Sequence, residues 1–121
     1  MPIRSYRDLE VYKRAKALVV PMYQLAASLP AREQHDLADQ IRRACKSVVA
    51  NIVEGYSHRE TPAKAKQHWR LSMGSADETV EHLETVVALG YAPQDACQPH
   101  IAEYTVVAKQ LYKLIKNWHT L

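Results

Sequence analysis

Phenylalanine is missing from this chain of 121 residues, glycine occurs only 3 times and cysteine only 2. Each scarcity removes a class of answer. The isolated glycines Gly55, Gly74 and Gly90 cannot build a phosphate-cradling loop, and so few of them predict few turns and long elements. Cys45 and Cys97 form no CxxC and are too few for a disulfide scaffold, so buried free thiols in a reducing compartment are expected. No run approaches the roughly 18 apolar residues of a membrane span. The opening MPIRSYRDLE lacks the apolar centre of a secretory leader, and the expected location is cytoplasmic.

What is present is ordinary for a globular chain: 47% hydrophobic residues, 24% charged residues and a net charge of +3. The length suits one domain with its own core. Four amphipathic segments account for nearly all of it. The first, about 6–28, carries Tyr12, Ala15, Val19, Met22 and Ala26 at steps of three and four. Pro21 should kink it or free the carbonyl of Ala17, but the stripe keeps its phase and one bent helix is expected.

Pro30 punctuates the chain before a second helix, about 33–57, with Leu37, Ile41, Ala44, Val48 and Ile52 on one face. Thr61 and Pro62 then read as cap and first residue of a third helix, about 62–89, striped by Ala65, Trp69, Met73, Ala76, Val80, Leu83 and Val87. Gly90 ends it. The fourth, about 94–118, carries Ile101, Tyr104, Ala108, Leu111, Ile115 and Trp118, and Pro99 predicts a late start near Cys97. No segment alternates as a strand, and short connections predict an all-α, antiparallel up-down-up-down four-helix bundle.

The second helix has two further features. Cys45, Val49, Ile52, Val53 and Tyr56 widen its apolar arc to about half the circumference, more than one packing partner needs. Leu71 and Leu89 are left over on the third helix. Self-association through Val49, Val53, Tyr56 and Leu71 explains the surplus; a fully central helix in a monomer is the competing explanation. Beside the arc, Gln40, Ser47, Asn51 and Glu54 form a polar column. Ser72, Ser75 and Thr79 line one edge of the third helix, with Glu78 further round, and Gly74 leaves room for another backbone. Buried unpaired polar groups cost about 1–3 kcal/mol each, so an interhelical network of Gln40, Ser47, Asn51, Glu54, Ser75 and Glu78 is expected over a merely solvated flank.

Charge is polarised in such a bundle. The start of the first helix, the second connection and the end of the fourth gather a net +8, with Arg59, Lys64, Lys66, Arg70, Lys113 and Lys116 among the cations. The opposite end sums to −5. A basic face attracts a phosphate backbone with little sequence preference and steep salt dependence. Simple solvation of the charge is the alternative, and so is an adaptor that binds a protein rather than RNA or DNA.

An enzyme is not expected. None of His35, His58, His68, His82, His100 and His119 has a Glu three residues before it, HExxH is absent, and no histidine is placed to activate Ser47 or Ser75. No metal or cofactor site is expected. The carboxylates Glu33, Asp36 and Asp39, with His35 among them, suit a helix start.

The runs Gln40-Ile41-Arg42-Arg43-Ala44, Ser47-Val48, Asn51-Ile52 and Glu54-Gly55 resemble the bacterial proteins encoded in intervening sequences of 23S ribosomal RNA genes. Asp8-Leu9-x-Val11, Leu29-Pro30 with Glu33 and Leu37, Gly74-Ser75 with Glu78, and Leu89-Gly90-Tyr91 extend the resemblance over almost the whole chain. Tyr6 and Tyr12, where Phe and Trp are usual, and Pro21 and Pro99 depart from the pattern. The resemblance implies a four-helix bundle that assembles as a homopentamer, without an established biochemical role. It extends distantly to accessory proteins of the reverse transcriptases in diversity-generating retroelements, which are more basic.

Overall fold

The structure is a computed structural model and describes residues 3–119. These residues are all-helical, with no strand among them. A 3-10 turn over Tyr6–Asp8 leads into α1 (Glu10–Ala17) and α2 (Val19–Ser28); a second 3-10 turn, Ala31–Glu33, precedes α3 (Leu37–Ser57). Two longer helices follow, α4 (Pro62–Ala88) and α5 (Gln94–Asn117).

The first rod is interrupted rather than continuous. Pro21 has no N–H to offer the Ala17 carbonyl, and the break falls at Leu18, one turn before the proline. Leu18 keeps helical angles (φ −83, ψ −14) but bonds only three residues back, to the Ala15 carbonyl at 3.2 Å. The bend has a packing consequence: α1 touches both α3 and α5, whereas α2 touches α3 without reaching α5.

Other boundaries also move. The second long helix begins at Leu37 instead of residue 33, because the chain first turns through Ala31–Glu33. Thr61 does occupy the position before Pro62, yet it caps α4 with its carbonyl, which accepts from Lys64 and Ala65, and not with its hydroxyl. α5 starts at Gln94, earlier than Pro99 suggested. The Asp95 carbonyl that loses its partner to Pro99 belongs to an exposed residue, where water can satisfy it.

α4 ends on a Schellman turn. Gly90 takes φ +76, its N–H reaches the Val87 carbonyl at 2.9 Å, and the Tyr91 N–H reaches Val86 at 3.0 Å. The core lies between α3, α4, α5 and the first rod, and its largest fully buried side chains are Trp69 and Tyr104. Side-chain bonds tie the ends. Trp118 Nε1 donates to the Arg59 carbonyl at 2.9 Å, and the Tyr91 hydroxyl donates to Glu33 at 2.7 Å. One end therefore gathers the α3–α4 connection and the end of α5; the other gathers the α2–α3 and α4–α5 connections.

The wide arc of α3 is largely consumed inside the chain. Ile41, Cys45, Val48 and Ile52 are fully buried between the first rod and α4. Tyr56, expected as a subunit contact, is only 7% exposed, and Val49 packs against the core. Val53 is half-buried, and only Leu71 of the four expected contacts, at 54%, stands open. Among the described residues no helix is long and apolar enough to cross a membrane.

Candidate functional site

The seam between α3 and α4 is built from small polar side chains. Ser47 and Ser75 meet hydroxyl to hydroxyl at 2.8 Å, and the buried Ser72 donates to the Val48 carbonyl at 2.7 Å. One turn on, Asn51 Nδ2 donates to the Ser47 carbonyl at 3.0 Å and lies 3.2 Å from its hydroxyl. Its Oδ1 faces Nδ1 of His68 at 3.4 Å. Trp69 Nε1 then donates to the Ile52 carbonyl at 3.2 Å. Partner numbers fall along α4 as they rise along α3.

Three members of the expected network, Gln40, Glu54 and Glu78, make no hydrogen bond across the seam. Gln40 donates to Asp36 on its own side of the seam, and Glu78 faces His82 one turn away at 3.1 Å; both lie on exposed flanks of their helices. Thr79, though buried, turns back to the Ser75 carbonyl. Gly74 is not a place of close approach within the chain, since a Cβ there would meet nothing within 4 Å. Gly55 is the glycine that matters: a Cβ on it would overlap the Trp69 indole, which Trp118 covers edge-on at 5.2 Å.

Glu54 leads to a cluster that residue spacing did not predict. Its carboxylate lies 4.0 Å from His58 Nε2, and the His58 and His68 rings stack at 5.4 Å with a 6° interplanar angle. One ligating atom from each of Glu54, His58 and His68 falls within 4.8 Å of the others. Spacing along the chain offers no sign of this grouping. Glu54 and His58 are four apart on one face, whereas His68 arrives from α4, a meeting only the helix register could reveal.

The same end carries the basic residues. Lys64, Arg70, Lys113 and Lys116 are exposed and Lys66 is half-buried. Among the described residues none of these has a carboxylate within ion-pair distance. Arg59 differs, because its guanidinium sits 4.8 Å over the Tyr56 ring and donates to the Tyr56 carbonyl. At the opposite end Asp39 takes Arg43 at 3.0 Å and Arg42 at 3.9 Å, while Arg32 and Lys46 lie over the Tyr91 and Tyr23 rings at 5.6 and 6.0 Å. An apolar groove of about 630 Å³ runs between α4 and α5, walled by Met73, Val80, Tyr104, Ala108 and Tyr112, with Lys109, Lys113 and Lys116 along it. Cys45 and Cys97 are buried free thiols, and burial raises the pKa of both.

A four-helix, all-α chain with a polar helix seam and a basic end is the class of protein these features define. More narrowly, residues 7–113 match the family model of the 23S rRNA-intervening sequence protein, and the chain belongs to that family. Its fold is similar to a crystal structure of a protein of unknown function, from the S23 ribosomal protein family of Bacteroides thetaiotaomicron. The two share 22% identity with a TM-score of 0.80, over 88% of this chain and 96% of that one. No curated protein matches the chain.

Proposed function

We propose that this chain is a non-enzymatic, cytoplasmic, antiparallel up-down-up-down bundle that self-associates and holds RNA by its phosphate backbone at the basic end. The supporting observation is the contrast in ion pairing between Lys64, Lys66, Arg70, Lys113 and Lys116, which have no carboxylate at ion-pair distance, and the paired Arg42 and Arg43 opposite. Lysines free of carboxylate partners are available to displace counterions from a phosphate chain. The falling register across the α3–α4 seam supports the antiparallel layout. For the assembled form, homopentameric by resemblance to the family, the support is the open groove between α4 and α5 with Leu71 and Tyr112 exposed nearby in sequence on the same helices.

Fluorescence anisotropy with a short single-stranded RNA tests the reading. Binding is expected at low salt, with release near physiological salt. Reversing Lys64, Lys66 and Arg70 to Glu should flatten the dependence of log affinity on log salt by about 2, from the roughly 0.7 contributed per neutralised phosphate. Absence of binding at low salt would sink the RNA reading. It would favour the second reading, an adaptor that takes a protein segment in the apolar groove.

A further inference from the structure

We infer that Glu54, His58 and His68 form a binding site for a divalent transition-metal ion of the zinc class, with Asn51 orienting His68. This stands independently of the RNA reading. Two imidazoles and a carboxylate are a donor set for zinc-like ions, whereas magnesium and calcium prefer oxygen throughout. Ligand bonds of about 2.0–2.2 Å place neighbouring donors roughly 3.3 Å apart around a tetrahedral ion. The donor atoms already lie within 4.8 Å of each other, and His58 and Glu54 are 4.0 Å apart. Side-chain rotation closes the remainder, because the Glu54 side chain is 58% exposed and free to swing.

The backbone frame is rigid where it needs to be. Glu54 and His58 sit one turn apart at the end of α3 and share a face. His68 is fixed by its neighbour Trp69, which is bonded to the Ile52 carbonyl and packed onto Gly55. Gly55 beside Glu54 and Trp69 beside His68 are therefore among the contacts that hold the two helices in register.

Asn51 supplies the orienting contact. Its amide nitrogen is held by Ser47, so its oxygen is the atom that faces His68 Nδ1. A proton on Nδ1 is thereby favoured, and Nε2 keeps its lone pair for an ion. Three protein donors leave a fourth position for water. Lys64, one turn before His68, is the cation that opposes an ion on this face; Arg59 is turned onto Tyr56.

Titration calorimetry and cobalt(II) visible absorption on the full chain test the site. One zinc per chain is expected, with tetrahedral cobalt absorption and no response to magnesium. His58→Ala and His68→Ala should each weaken zinc by about 100-fold or more, since each removes one ligand of three. Asn51→Ala should weaken it about tenfold at unchanged stoichiometry, with Asn51→Asp restoring it. His82→Ala, away from the cluster, should change nothing. Histidine-ring NMR of the unmutated chain gives a readout that no folding defect can mimic: zinc must shift His58 and His68 and leave the other rings in place. Failure of the unmutated chain to bind zinc at about 100 µM would overturn the inference, as would binding that survives His58→Ala/His68→Ala or shifts other rings instead.

Discussion

Gly55 shows how much a single missing side chain can decide. The indole of Trp69 occupies the space a Cβ would need, and Trp118 closes over it from the far side. Neither ring can retreat, since both are buried and each indole N–H is held by a backbone carbonyl. Gly55→Ala should therefore destabilise the fold by about 1–3 kcal/mol, the ordinary penalty for overpacking a core. A urea midpoint unchanged from the parent would mean that the indole repacks freely. Tyr104 presents the opposite case. Its hydroxyl is buried beside Cys45 with no hydrogen-bond partner among the described residues, and burial raises its pKa. Tyr104→Phe removes an unsatisfied group and should stabilise by about 1 kcal/mol. Loss of stability instead would reveal a partner for that hydroxyl.

Helix-length patterns were readable from the sequence because apolar stripes have a fixed period, and Gly90 and Pro62 marked true ends. The break at Leu18 was half-readable: the freed Ala17 carbonyl is a local consequence of Pro21, but the swing of α2 away from α5 depends on packing. The candidate site divides in the same way. Ser47, Asn51 and Ser75 aligned on helical wheels and do meet, while Gln40 and Glu78 aligned equally well and found partners on their own helices. His68 could not be placed without the register that Gly55 and Trp69 impose. Tyr91 and Glu33, 58 positions apart, were visible only as separate fragments of a family pattern, and one hydrogen bond joins the two connections they sit in. That bond makes the connection pH-sensitive. The Glu33 carboxylate accepts from the neutral phenol, so the Tyr91 pKa is raised above its usual 10. A raised folded-state pKa means the stabilisation is complete below pH 10 and is lost as pH climbs through the higher value. Tyr91→Phe should lower the urea midpoint at neutral pH, with the gap to the parent closing in strong alkali. A gap that stays constant with pH would show that the ring's packing, and not the bond, is what matters.

For the whole molecule, the uncovered surface and the charge point the same way. Of the expected apolar surplus, the α3 part is mostly buried while Leu71 on α4 and Leu89 at its end stay exposed, joined by Val20 on α2 and by Tyr112 beside the α4–α5 groove. If copies meet through that groove with parallel axes, their basic ends lie on one face, and phosphate contacts multiply along a single strand. Ala108→Glu places a charge in the groove wall and should convert an assembly of several 13.8 kDa chains into single chains, read by sedimentation velocity. The same variant should bind a long RNA more weakly while leaving affinity for a fragment spanning one chain unchanged, because linked sites gain their affinity from effective concentration and not from new contacts. Reversal of Lys64, Lys66 and Arg70 should do the converse, weakening both RNAs without changing the sedimentation. A parent chain that sediments as a monomer at micromolar concentration would break this link, and the groove would then have to be filled by a partner of another sequence.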